Sequence, residues 1–488
     1  MSPLFLLMPI ILPILGGFGI FFLGFEEEKK RNIYAETIVV LTSVLVLIAL
    51  FTVRHDPVQV YSFTNGFSVD FHLDGAGMLF AGMVAIMWPL VMLYAFDYVR
   101  GTDRQNLFFS FFVMTYGVTL GVCFAYNLTT LYVFYEILTL VTLPLVSYYG
   151  DHESLYAGRK YAAYTIGGAS LAFFTVVIGT VYGHGGDFIY GGSLLRPGTS
   201  TLMQAAFIFG FFGFGVKAAI FPLQEWLPTA SAAPTPVTAL LHAVAVVNSG
   251  VFAVVRMAWY IFPAEEMKGS YAQLICIYTA SFTLLFAAAK AVKERHFKRR
   301  MAYSTVSNLS YMLFGVLLLT PAGLQAGLAH MLFHGIIKAA LFMCAGAFMH
   351  MTGKSWIYEI NGVGKRMPYT FAVYTLGALS LTGIPLFCGF VSKWLLITAG
   401  IADGTLSGVV GAVALIISAF LCAIYSLSVS VRAYFPYQGS DRFPDKSGGG
   451  SPMLMLIPMT VFAVVNILFG IAPGPVIAFI GAIAKGVI

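Results

Sequence analysis

The sequence predicts an all-α polytopic membrane protein with about fourteen transmembrane helices. Three observations carry this. The chain is 59% hydrophobic and 10% charged, where a soluble domain carries about 25% charged residues. Its apolar residues lie in runs long enough to cross a hydrocarbon layer. The few charges inside those runs are isolated and of both signs: Lys217 in AAFIFGFFGFGVKAAIFP, Glu136 in LYVFYEILTLVTLPL, Lys338 in HGIIKAALFMCAGAF and Lys393 in CGFVSKWLLITAG. A charge at the centre of a spanning segment costs roughly 2.5 kcal/mol or more, so these positions read as functional, in moving protons or ions.

The first span is Pro3–Gly24. It has no basic flank and is too long for a signal-peptide core, so it reads as a retained helix. The others fall near 33–53, 76–96, 107–126, 128–147, 161–183, 201–222, 236–262, 271–289, 301–319, 324–350, 371–399, 406–435 and 453–473, followed by a short apolar tail after Pro473 and Pro475. Two spans carry breaks. Span 7 runs into FPLQEWLPTASAAPTP, and span 12 holds LTGIPLFCGF. Irregular backbone at membrane depth survives only where protein or a water-filled cavity covers it. Breaks five spans apart suggest two five-helix repeats, inverted because five is odd. The expected organisation is residues 1–106 for helices 1–3, 107–262 and 263–435 for the two repeats (helices 4–8 and 9–13), and 436–488 for helix 14 and the tail.

The formal charge of +6 is a topology signal here, not a nucleic-acid signal. Nineteen Lys and Arg collect on one side, eighteen in its loops and Arg432 at the end of span 13, six of them in KAVKERHFKRR at 290–300, against three (Arg54, Arg196, Lys268) on the other. The positive-inside rule makes the rich side cytoplasmic and puts both termini outside. The five cysteines are scattered singly, so neither a zinc nor an iron–sulfur site is expected and they read as small buried hydrophobes.

Glu136 stands about nine residues into span 5, roughly 13 Å deep and near the midplane. A lone carboxylate there needs a cation close by to stay ionised, and Lys217 is the natural partner. A purely structural ion pair is the competing reading, weakened because desolvation offsets the attraction. His330, His334 and Lys338, spaced i, i+4, i+8, share one helix face. Imidazole both donates and accepts, which suits a proton relay or a static hydrogen-bonding role. His-x3-His could also bind a metal, but no third ligand is evident. His242 follows the span-7 break, with Asn248 one to two turns on as a polar group able to hold water and Arg256 as a further buried charge; both are taken as supporting residues. Lys393, past the span-12 break, is an exit-side group or a snorkelling anchor.

The segment FPLQEWLPTASAAPTPVTALLHAVAVVNSGVFAVVR, with MAYSTVSNLSYM, HMLFHGIIKAALFMCAGA and LSLTGIPLFCGFVSKW following in order, resembles the antiporter-like subunits of respiratory complex I, Mrp-type cation/proton antiporters and membrane-bound energy-converting hydrogenases. The likeness covers roughly residues 70–435. It implies fourteen helices in two inverted repeats, with helices 7 and 12 broken. It also implies a Glu/Lys pair at Glu136 and Lys217, central groups at His242, His330, His334 and Lys338, and an exit residue at Lys393. Many members carry Lys on helix 8 where this chain has Asn248, which throws the centre onto His242, water and Lys338. In length the chain resembles the D subunit of Mrp antiporters and its hydrogenase counterparts. The implied function is proton translocation, or Na+/H+ antiport, by one membrane subunit of a hetero-oligomeric complex in a prokaryotic cell (inner) membrane. No cofactor is expected in this chain; any redox chemistry belongs to partner subunits. A stand-alone transporter for a small solute is the alternative, and a structural scaffold the third reading.

Overall fold

A computed structural model describes residues 3–52, 56–64, 67–195, 200–436 and 450–488. Arg54 and Arg196, used in the charge count above, lie outside the described residues. The first helices are α1 (Met8–Leu23) and α2 (Glu28–Thr52), followed by a β-hairpin of β1 (Val58–Thr64) and β2 (Phe67–Phe71). Then come α3 (Gly75–Tyr98), α4 (Gln105–Phe124), α5 (Leu128–Val146), α6 (His152–Tyr182), α7 (Thr201–Gly215), α8 (Trp226–Thr229), α9 (Thr235–Ala243) and α10 (Val246–Arg256). The rest are α11 (Ala264–Met267), α12 (Tyr271–Lys293), α13 (Phe297–Leu317), α14 (Pro321–Thr352), α15 (Pro368–Thr382), α16 (Cys388–Ala402), α17 (Leu406–Tyr434), α18 (Met453–Ile471) and α19 (Gly474–Ile483). Among the described residues, eleven helical segments are long and apolar enough to cross a membrane; α7, α16 and α19 are shorter apolar helices.

Side chains fix where these helices begin. Asp74, Asn127 and Asp151 each accept the backbone N–H three residues on, at 2.8–2.9 Å, and so cap α3, α5 and α6. Position in the bundle follows from the apolar pattern. α1 and α2 bury about a third of their apolar windows and form the rim, whereas 94% of the α14 window is buried. A helix apolar all round belongs inside other helices. α14 accordingly lies against α3, α9, α13, α15, α16, α18 and α19.

Several details depart from the sequence reading. The hairpin at 58–71 is β-structure that the all-α expectation did not include. The tail after Pro473 is a helix, α19, packed on α14. Span 8 is interrupted between α9 and α10, and it ends in a π-helical turn at Met257–Ile261. α7 stops at Gly215, ahead of Lys217. The break expected in span 12 is present: the span is two helices, α15 and α16, separated by residues 383–387.

Candidate functional site

Lys217 lies in the turn that ends α7 and has no solvent exposure. Ala219, two residues on, takes a left-handed φ of 54°, unusual for a residue with a Cβ. It swings the chain out of the helix. The Trp226 indole holds the turn by donating to the Val216 carbonyl at 2.8 Å. Gly250 of α10 lies directly on the backbone of Lys217 and Ala218, where any Cβ would overlap it. The Lys217 ammonium donates to the backbone carbonyl of Tyr135 and stands 3.5 Å from the centre of the Tyr135 ring. It does not reach the Glu136 carboxylate: no ion pair joins the two among the described residues, and Glu136 Oε1 is buried without a hydrogen-bond partner. The pair are neighbours through Tyr135 rather than direct partners.

The interruption between α9 and α10 frees the carbonyl of Ala243, and the Asn248 side chain fills it, donating at 2.8 Å. Asn248 thus repairs backbone, and its buried Oδ1 has no partner. His242, at the end of α9, packs at a tilt against Phe342 of α14, with ring centres 4.8 Å apart. Both of its ring nitrogens are buried and unpartnered.

On α14 the three sequence-predicted residues form one buried row. The His330 and His334 rings are 5.9 Å apart. Both nitrogens of His334 lack partners. Lys338 donates to the Met301 carbonyl at 2.9 Å and to the Ser304 hydroxyl, both on α13. His330 reaches Ser392 Oγ at 2.9 Å and Asn308 Oδ1 at 3.2 Å, and stacks on Tyr311. Lys393, in α16, turns back to the break before it and donates to the Leu381 and Thr382 carbonyls at 2.5 and 3.3 Å. Those carbonyls end α15, where helical partners run out. Lys393 is 5% exposed, so it does not snorkel. Gly383, with φ 99°, makes the turn possible.

Four residues escaped the sequence reading. Lys298 was counted with the solvated loop at 290–300, yet it is 3% exposed and donates to the Ala233 carbonyl at 2.6 Å. Arg300 of the same loop is buried too, against Tyr425 and Ser428. Glu36 lies two turns into α2 with Oε2 buried and unpartnered, so Glu136 is not alone among acidic groups within a span. Asp74 forms a two-pronged ion pair with Arg256 across the bundle. The Arg256 guanidinium also packs on Phe188, Phe252 and Tyr260, each ring centre within 4.8 Å. An Asp ahead of an apolar run is a local helix-cap signal, but the pairing of Asp74 with a residue 182 positions away has no local signal.

Outside the membrane-spanning segments, burial and then the neighbouring Asp70 carboxylate push the Asp187 carboxyl up to about 6. His296, between α12 and α13, is pushed down to about 4 by burial and by Arg299 and Lys298.

The comparisons fit this geometry. The family described as NADH:quinone oxidoreductase/Mrp antiporter, TM, matches residues 125–421, which hold every buried lysine described above. The chain belongs to this family. It is 29% identical over 436 residues to the Na(+)/H(+) antiporter subunit A1 of Staphylococcus haemolyticus, covering 84% of this chain and 53% of that protein. The Staphylococcus aureus subunit A1 is 28% identical over 438 residues, with the same coverage. The chain therefore spans about half the length of the curated relatives it matches. Two solved structures share its fold. The Mrp complex from Dietzia sp. DQ12-45-1b aligns with a TM-score of 0.87 at 19% identity, covering 99% of this chain and 98% of its counterpart. The archaeal membrane-bound sulfane sulfur reductase aligns at 0.84 and 24% identity, covering 98% and 96%. Like the rest of this family, the chain is a multi-pass membrane protein.

Proposed function

We propose that this chain is a proton-translocating membrane subunit of a multi-subunit complex. Protons would pass along a buried line from Glu136 and Lys217 through His242 to His334, Lys338 and Lys393, with Lys298 as an inlet from the loop side. One observation carries the reading. Lys217, Lys298, Lys338 and Lys393 are all buried, and each ends on a neutral oxygen: a backbone carbonyl in every case, and a serine hydroxyl as well for Lys338. A neutral amine still donates hydrogen bonds to those oxygens, so each lysine can lose its proton without leaving a carboxylate unpaired. Among the described residues, buried polar atoms of His242, Asn248, Ser249, Thr139 and His334 have no hydrogen-bond partner. Bridging waters would satisfy such atoms.

The charge carried by lysine and histidine favours protons over Na+, which prefers several oxygen ligands. The named relatives are Na(+)/H(+) antiporter subunits and the matched structures are multi-subunit membrane complexes. This supports other membrane subunits as partners and a cell-membrane setting, while the uneven split of Lys and Arg between the two sets of loops supports both termini outside. The breaks after α7 and between α15 and α16 support two inverted repeats at 107–262 and 263–435. The test is proton flux in vesicles carrying the assembled complex. Lys338→Met and Lys217→Ala should each assemble normally and lower flux by at least about tenfold, the scale of a lost proton-transfer group. Normal flux in either assembled variant would sink the reading.

A further inference from the structure

The hydrogen bonds around His330 set the protonation states open to it. The Asn308 side chain donates Nδ2 to the Ser304 carbonyl at 2.7 Å. A carbonyl only accepts, so this fixes which way the amide points. Its Oδ1 then faces His330 Nε2 at 3.2 Å. That oxygen also only accepts, so Nε2 must carry a hydrogen. On the opposite edge, Nδ1 lies 2.9 Å from Ser392 Oγ, and the same hydroxyl lies 3.3 Å from the Gly389 carbonyl. With the ring neutral, Ser392 donates to Nδ1. With the ring charged, Nδ1–H donates to Ser392 and the hydroxyl hydrogen turns to Gly389. Both states fit the same heavy atoms. The neutral form with its hydrogen on Nδ1 does not fit, because it would set a lone pair against Asn308 Oδ1.

We propose that His330 is a one-port proton store, loaded and emptied only through Nδ1 and Ser392, with Asn308 closing its Nε2 side. This rests on the proton-translocating reading and replaces a pass-through relay at this residue. In loading, a water or ammonium beyond Ser392 gives its proton to the hydroxyl oxygen as the hydroxyl hydrogen moves to Nδ1. One N–H bond forms, the ring gains one positive charge, and the donor loses one proton. An amide oxygen is too weak a base to take the proton onward from Nε2. The next transfer is therefore driven by repulsion. The Tyr311 ring is shared by His330, stacked at 5.3 Å, and by the Lys393 ammonium, 5.1 Å from its centre. His334 stands on the other flank, with Lys338 beyond it. A charged His330 makes a charged Lys393 less favourable and so promotes its release of a proton.

The test is nitrogen NMR of 15N-histidine-labelled assembled complex, read beside passive proton leak in vesicles. The native His330 signals should show Nε2–H in both the neutral and the charged ring; a neutral ring with hydrogen on Nδ1 would overturn the proposal. Asn308→Leu should give mixed tautomers, and Asn308→Asp, whose carboxylate is basic enough to take the proton on from Nε2, should raise leak about tenfold, equivalent to ~1.4 kcal/mol. Asn308→Gln, which keeps the acceptor, should behave as the native chain. Unchanged leak in the assembled Asn308→Asp complex would overturn the valve role. If Asn308→Leu does not assemble, the native spectrum and Asn308→Gln still decide. A native complex that moves no protons but shows the single tautomer would sink the functional reading and leave the clamp standing.

Discussion

Two kinds of buried cation share this bundle, and they are held in opposite ways. Arg256 is gripped by a carboxylate, Asp74, through two charge-assisted hydrogen bonds, and walled in by three aromatic rings. Arginine does not deprotonate in proteins, so this pair is permanent, and it ties α10 to the start of α3 across the chain. The lysines are held by uncharged oxygens and can change charge in place. On the proposed reading, Arg256 serves assembly and the lysines serve transport. A buried ion of itself therefore says little; what it is bonded to separates the roles.

The largest effect expected from breaking this contrast is on Arg256. Arg256→Leu leaves Asp74 without its cation, a loss of about 3–5 kcal/mol for a broken buried pair. Assembled complex should fall sharply on a native gel. Arg256→Leu with Asp74→Leu should recover much of it, since removing both charges removes the stranded one. Equal loss in the single and double variants would show that the pair is not what Arg256 contributes.

Lys393 should behave in the reverse manner. Lys393→Met should leave assembly intact while lowering proton flux by at least about tenfold. Lys393→Arg, which keeps the charge but cannot release its proton, should be as impaired as Lys393→Met. Native flux from the arginine variant would mean that a fixed charge is enough at this position.

The orientation of the line depends on topology. Arg295 is exposed in the basic loop, unlike Lys298. A cysteine at position 295 should resist an impermeant reagent applied outside intact cells and react once the cells are opened. Ready labelling from outside would reverse the topology.

The smallest effect concerns a loop carboxyl. The Asp187 carboxyl is raised to about 6, against about 3.9 in an unfolded chain. Between those values the folded state holds a proton that the unfolded state has released, so stability falls as pH rises through this window. Asp187→Asn removes the penalty. Its melting temperature should exceed that of the native complex slightly at pH 7.5 and match it at pH 4. A higher midpoint for the variant at pH 4 alone would contradict this assignment.

The sequence by itself determined the membrane class, most of the helices and the buried charges that stand alone in apolar runs. Apolar runs and isolated charges are local properties, and the bilayer punishes both errors strongly enough to make them readable. The two breaks at 216–225 and 383–387 were equally legible, because proline and glycine act on their own backbone. Only the tertiary structure decided what each charge is bonded to. Lys217 meets the carbonyl of Tyr135 rather than the Glu136 carboxylate, and Asn248 mends a broken helix that no local signal announced. Lys298 is buried although it sits in the most basic stretch of the chain. A hydrogen bond is won by whichever acceptor packing brings within about 3 Å, and that distance is set by helices remote in sequence.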